Sequence, residues 1–178
     1  MRLIYIFIVL FLVGCSSKSS YIFPTASTYK VANTKVQIGV KKVELPSYVD
    51  RDKILIKEGS KVTESDANFV DLPSELLTNR VITILKESLN NPNVLLYPWD
   101  VKSKKGYIVE IHLDKFMYDS GYAVVEGSYY IKRADGSLVE SKNFRVTKPT
   151  KKEPQSIVKA LSELFDSVVL EIAKKIAK

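Results

Sequence analysis

The last segment of the chain constrains the fold most. Ile157, Leu161, Leu164, Phe165, Val168, Ile172 and Ile176 recur every three or four residues, with lysines and glutamates opposite them. That is a helix with one apolar stripe, and Pro154 suits its first turn. A long helix that is apolar on one side needs an apolar surface to cover. The face of a β-sheet is the commonest supplier of one. A membrane or a partner protein is the other use of such a stripe.

The preceding residues provide the strands. Val36, Ile38 and Val40 alternate with Lys35, Gln37 and Gly39, the period of a half-buried strand. Val43 and Leu45 fall on the other parity, so the apolar face switches near Lys41-Lys42, as at a bulge. Pro46 ends pairing. Lys53 to Lys57 reads as a short strand, and Gly59-Ser60 turns it into Lys61 to Glu64, with Glu64 and Asp66 in a polar loop.

The period then changes. Leu72, Leu76, Leu77, Val81, Ile84 and Leu85 have helical spacing, with Asp71 as N-cap and Pro73 in the first turn. Asn90-Asn91-Pro92 stops that helix, and Val94 to Tyr97 forms a short strand ended by Pro98. Val109, Ile111 and Leu113 alternate with polar residues. Tyr122 to Lys132 and Ser137 to Thr147 are joined through Asp135-Gly136, a strong hairpin signal. The order of elements predicts an α+β domain: a mainly antiparallel sheet of about five strands with two amphipathic helices packed on one face.

The N-terminus carries a different message. After Met1-Arg2 an apolar run from Leu3 to Val13 leads into Gly14-Cys15-Ser16-Ser17. A positive start, a short apolar core and a small residue make a signal peptide. The core is too short for a spanning helix, which needs about 20 residues. Leu12-Val13-Gly14-Cys15 resembles the bacterial lipobox. That resemblance implies cleavage between Gly14 and Cys15, a thioether-linked diacylglycerol on Cys15 and acylation of the new N-terminus. An ordinary signal peptide with a chance cysteine is the plain alternative. Cys15 is the only cysteine of the chain, and a lone cysteine in an exported protein asks for an explanation.

The organisation read from this is a signal peptide over 1–14, a lipidated flexible tether over 15–35 and a folded domain over 36–178. The tether is rich in Ser, Thr and Lys, with Tyr21-Ile22-Phe23-Pro24 as an apolar exception that can dock on the body. Ser16 rather than Asp after the cysteine favours the outer membrane over the inner, by analogy with enterobacterial sorting.

Composition is that of one globular domain, with 46% hydrophobic and 26% charged residues. The net charge of +7 is spread over small lysine groups. No nucleic-acid-binding motif is present, so anionic headgroups, an acidic partner or plain solvation account for the charge better. Chemistry is scarce. Nucleophilic catalysis needs a nucleophile with an adjacent base, yet Cys15 is assigned to lipid and His112 is the only histidine. The ligand set of a zinc site and a phosphate-binding glycine loop are both missing. Acid pairs such as Asp50 with Asp52 and Glu64 with Asp66 read as loop carboxylates. The chain reads as a non-enzyme without cofactor beyond the lipid on Cys15.

Two short motifs carry a more specific resemblance. Val43-Glu44-Leu45-Pro46-Ser47-Tyr48-Val49-Asp50-Arg51 and Tyr97-Pro98-Trp99 resemble signatures of the ABC-type transport auxiliary lipoproteins. That family includes the paraquat-inducible lipoprotein component associated with MCE-domain phospholipid transporters. The order of elements from Val36 to Ile176 is also similar. One departure is visible: an Arg-Trp pair frequent before the first helix is replaced by Asn68-Phe69.

The resemblance implies a non-catalytic accessory that docks an MCE-type periplasmic protein, itself working with a permease and an ATPase. The accessory would be held to the membrane by its lipid and face the periplasm. Leu45, Pro46, Tyr48, Asp50, Arg51, Tyr97, Pro98 and Trp99 are then structural or interface candidates, and a homo-oligomer is open. Two other readings stand beside this one: an envelope assembly or structural lipoprotein bound to another outer-membrane or peptidoglycan partner, and a direct lipid carrier.

Overall fold

The computed structural model describes residues 19–98 and 106–178. Eight strands and two helices follow in the order β1 (Ser20–Tyr21), β2 (Gln37–Val40), β3 (Lys53–Glu58), β4 (Lys61–Phe69), α1 (Pro73–Ser88), β5 (Val94–Leu96), β6 (Gly106–Asp119), β7 (Tyr122–Arg133), β8 (Leu138–Pro149) and α2 (Pro154–Ile176). The 14-residue β6 is the spine. Along one edge it pairs β7 antiparallel for its whole length, and β7 in turn pairs β8. Along the other edge it meets two short strands end to end: β2 parallel at Gly106–Val109 and β3 parallel at Tyr118–Asp119. Beyond β2 lies β5, also parallel; beyond β3 lie β4 and then β1.

The sheet is therefore mixed and has eight strands, where about five mainly antiparallel strands were expected. The reason is chain order. The segments before β6 reach it by crossovers, α1 among them, and crossovers yield parallel neighbours, whereas the three strands joined by tight turns form the predicted antiparallel meander. Two local expectations are corrected as well. Lys61–Phe69 is a full strand rather than a short hairpin arm and a loop; Glu64 pairs with Leu55, and only the outward side chains made it look like a loop. After Val40 the chain does not continue as a bulged strand. It leaves the ladder and returns as a single bridge, Glu44 to His112.

The predicted helix stripes are the buried ones. Leu77, Val81, Ile84 and Leu85 of α1 and Ile157, Phe165, Val169, Ile172 and Ala173 of α2 are wholly covered. Each large apolar side chain so buried contributes about 1.5–3 kcal/mol. Helix α2 lies on β6, β7 and β8, α1 lies on β2 and β5, and the helices touch each other. Gly127 is demanded by packing: a Cβ there would sit 2.1 Å from the His112 carbonyl oxygen, beside the shift in register at Leu113 to Lys115. Gly136, at φ +87°, completes the predicted β7–β8 turn. The predicted stop at Asn90 holds too, with Asn90 at φ 44° just after the helix.

Where a flexible tether was expected over 15–35, the described part from Ser19 onward is laid against the body. Ser20 and Tyr21 pair with Asn68 and Phe69. Phe23 packs edge-on against Phe69 and Phe116. Val31 and Ala32 donate backbone N–H groups to the Ser88 carbonyl. Apolar residues spaced through a polar segment hold it without any periodic pattern. Gly14 and Cys15 lie outside the described residues, and among those described no helix is long and apolar enough to cross a membrane.

Candidate docking groove

The first signature folds into three successive contacts. Val43 is buried, and its N–H donates to Thr78 Oγ1 of α1 at 2.9 Å, while Thr78 donates onward to the Ser74 carbonyl. Glu44 then bridges β6 in both directions, donating to Ile111 and accepting from Leu113. Leu45 packs at the rim of the core, and the Pro46 carbonyl accepts the N–H groups of Val49 and Asp50, closing a tight turn.

That turn positions the polar residues of the signature. The Tyr48 hydroxyl donates to the Asp114 carbonyl at 3.1 Å, although the ring is half exposed. Asp50 Oδ1 accepts the Ser74 N–H at 2.9 Å, capping α1 from 24 residues away. The expected cap, Asp71, instead accepts from Leu72 next to it, and no side chain of the helix's own N-cap position bonds the first turn. With Pro73 at the helix start, the first donor needing an acceptor is Ser74, and the turn delivers Asp50 to it. Arg51 stays outside, reaching Ser47 and, at 3.5 Å, Glu64.

The second signature approaches the first. Tyr97 donates its N–H to the Val40 carbonyl at 2.7 Å, and Lys41 Nζ lies 5.8 Å from its ring centre. Tyr97 and Pro98 thereby form one wall of an open groove of about 530 Å³, with Lys41 to Leu45, Asp50 and Ser74 around it. Of the eight interface candidates, Leu45, Asp50, Tyr97 and Pro98 line this groove. Pro46, Tyr48 and Arg51 shape the adjoining turn, and Trp99 lies outside the described residues.

The groove walls are charged in both senses. Lys41 reaches Glu110 at 2.8 Å, and Glu110 also takes Lys132 at 2.9 Å. The hydrogen bond to Glu110 raises the Lys41 pKa above its ordinary value. Burial pushes Glu110 upward, but the bonds from Lys41 and Lys132 outweigh it and hold the carboxyl below the usual range. Lys42 pairs with Glu75 on α1, and Glu44 with His112 Nδ1 at 2.9 Å, while the His112 ring stands edge-on to Tyr130. His112 is thus partnered on two sides. Among the described residues no group of three or more His, Cys, Asp or Glu side chains assembles as a metal site. The arrangement offers apolar rings, paired charges and backbone edges, which suit recognition of a protein surface.

One structural centre was missed in the sequence. Arg80 and Asp166 form a buried two-pronged pair between α1 and α2, with Nη2 to Oδ2 at 2.8 Å. The pair also grips the N-terminal segment: Arg80 Nη1 donates to the Pro24 carbonyl at 2.7 Å, Asp166 Oδ2 accepts the Ser27 N–H at 3.1 Å, and the guanidinium sits 5.6 Å from the Phe23 ring centre. The available signal was one charged residue inside each apolar stripe, of opposite sign on the two helices.

Several solved structures share this fold. An uncharacterized protein of known crystal structure superposes with a TM-score of 0.70 at 17% identity, covering 86% of this chain and 99% of that one. Protein XCC0632 from Xanthomonas campestris does so with a TM-score of 0.70 at 16% identity, over 90% of this chain and 92% of that one. The PelC dodecamer from Paraburkholderia phytofirmans gives 0.52 at 10% identity, over 85% and 94%. No curated protein matches the sequence. The profile of the ABC-type transport auxiliary lipoprotein component matches residues 22–173, a span that includes both signatures and the segment gripped by Arg80 and Asp166. By that match the chain belongs to the ABC-type transport auxiliary lipoprotein family.

Proposed function

We propose that this family member is the membrane-anchored, non-catalytic accessory of an ABC transport system of the MCE type, which moves phospholipid or another lipid across the cell envelope. Lipid on Cys15 attaches it to a membrane, the outer membrane by preference, with the domain facing the periplasm. The groove beside the two signatures receives an MCE-type periplasmic protein, and the permease and ATPase of that system supply the work. The observation that carries this reading is convergence: signature segments about 50 residues apart in the chain meet at one groove whose two lysines are each paired with a carboxylate just beyond its lining. The match to a transport auxiliary family supports docking over turnover at this groove.

Pull-down of the lipidated protein from envelope extracts tests the reading. Recovery of an MCE-domain protein is expected, weakened when Lys41 and Tyr97 are both replaced by alanine. Recovery of outer-membrane assembly or peptidoglycan-bound proteins without any MCE-domain protein would overturn it in favour of a structural lipoprotein. For the anchor, radiolabelled palmitate should enter the wild type and be absent from Cys15→Ser. A homo-oligomer is a second element of the proposal, favoured by the likeness to the PelC dodecamer; light scattering of the detergent-solubilised protein would show a single protomer mass if it is wrong.

A further inference from the structure

We infer that the domain is seated directly on the phospholipid headgroups by the end that carries the β3–β4 hairpin, with the β7–β8 turn held away from the bilayer. The inference rests on the lipid-anchor reading of Cys15 and adds an orientation to it. Its basis is where the described chain begins. Ser20 pairs with Asn68, and the Ser19 carbonyl accepts the Asn68 N–H, so the chain is fixed to the sheet from Ser19 onward. Only four chain steps separate Ser19 from Cys15. At full extension they span at most roughly 14 Å.

The register shows which parts of the domain that length can bring to the membrane. Asn68 also pairs with Lys53. Because Ile56 pairs in parallel with Tyr118, Lys53 is level with Lys115, nine residues from the Gly106 end of β6. Nine residues of strand cover roughly 30 Å, so with the strands upright on the bilayer a lipid on Cys15 reaches it only if the Gly106 end points away. Chain direction agrees. β1 runs parallel to β4, and β4 starts at the hairpin, so the chain enters β1 from the hairpin side. From Tyr21 it departs the other way, past Pro24, Ser27 and Val31 toward the end of α1.

The hairpin end is itself composite. The Lys57 carbonyl accepts the Ser120 N–H, the Gly121 carbonyl accepts the Thr150 N–H, and Lys152 pairs with Glu58. The β3–β4 hairpin, the β6–β7 turn and the β8–α2 connection therefore form one surface. Across Lys57–Lys61, Asp119 and Lys148–Glu163 it holds six lysines against four carboxylates. Lys61, Lys151 and Lys159 are exposed and have no carboxylate partner among the described residues. Tyr122 and Val62 are about half exposed on the same surface. Lysines attract anionic headgroups and an exposed tyrosine suits the interfacial layer. Charge alone does not choose between the ends, since the far end is basic too; the short reach from Ser19 does.

The full lipidated chain supplies the test. With Cys15 blocked by lipid, an introduced cysteine is the single reactive thiol. Ser60→Cys puts a donor dye on the β3–β4 hairpin and Ser137→Cys puts one on the β7–β8 turn, both serines being exposed. Each labelled protein is placed in phosphatidylcholine–phosphatidylglycerol vesicles that carry a headgroup-linked acceptor. Energy transfer from position 60 should exceed that from position 137 several-fold. Equal transfer, or more from position 137, overturns the orientation. Flotation with unlabelled vesicles reads the anchor separately: wild type that stays in the load, or Cys15→Ser that floats as well as wild type, overturns the lipid-anchor reading instead.

Discussion

Helix α1 is held at two points by an aspartate from elsewhere in the chain. At its start Asp50 accepts one backbone N–H from Ser74, in a turn partly open to solvent. In its middle Arg80 meets Asp166, whose side chain is 3% exposed, and two further groups of the N-terminal segment join them. The residue type is the same and the surroundings differ. A cap exchanges one water contact for one protein contact and is worth about 1 kcal/mol. A buried pair offsets the desolvation of two charges, so its net value is small while both partners remain, and large when one is removed.

The comparison breaks most sharply at Asp166. Asp166→Ala leaves a buried guanidinium without its carboxylate, and urea unfolding should show a loss of about 3–5 kcal/mol. Limited proteolysis between Pro24 and Tyr29 should accelerate with it, because the same carboxylate holds Ser27. Arg80→Met combined with Asp166→Leu should recover much of the stability, since an apolar pair of similar volume is tolerated there, but not the protease resistance. If Asp166→Ala cost no more than loss of the cap, the burial-based contrast would be wrong.

Asp50→Ala should lose about 1 kcal/mol in the same titration, with the far-UV signal of the folded protein unchanged. A loss as large as that of Asp166→Ala would mean that the whole Pro46 turn, and with it the groove wall, depends on this bond. The smallest effect is a pH dependence at Glu110, which lies between the two cases in burial. Its folded pKa is held below 4.5. The stability it contributes is therefore present above that value and is lost as pH falls through the lower folded one. Urea midpoints taken from pH 6 down to pH 3 should fall less steeply for Glu110→Gln than for wild type. Parallel curves would show that Lys41 and Lys132 add nothing to the folded state.

Much of the fold could be read directly, and the exceptions share a cause. Both helix stripes, the Asp135-Gly136 turn and the β7 and β8 spans come from residues adjacent in the chain. The sheet's mixed pairing does not, because β2 and β3 have no local signal that both will join the same edge of β6 at different heights. Lys61–Phe69 was hidden by its exposed side chains, although its backbone bonds are ordinary. At the groove the signature residues were found, but their roles were not. Asp50 reads as part of a mixed-charge turn until Ser74 stands next to it, and Asp71 is the better local cap on sequence alone. The Arg80–Asp166 pair was the least legible of all, since its meaning depends on two residues 86 positions apart, on different helices, facing each other.

The sequence by itself determined the amphipathic helices, the antiparallel meander, the lone cysteine in its signal-like setting and the two family signatures. Each of these is written in side chains a few residues apart, where period, turn chemistry and small motifs act. Tertiary structure alone decided the parallel half of the sheet, the distant cap on α1, the meeting of the signatures at one groove and the fastening of the N-terminal segment by Arg80 and Asp166. Those depend on which buried donors and acceptors find one another once apolar surfaces have closed, and a buried polar group takes whatever partner the packing brings within 3 Å.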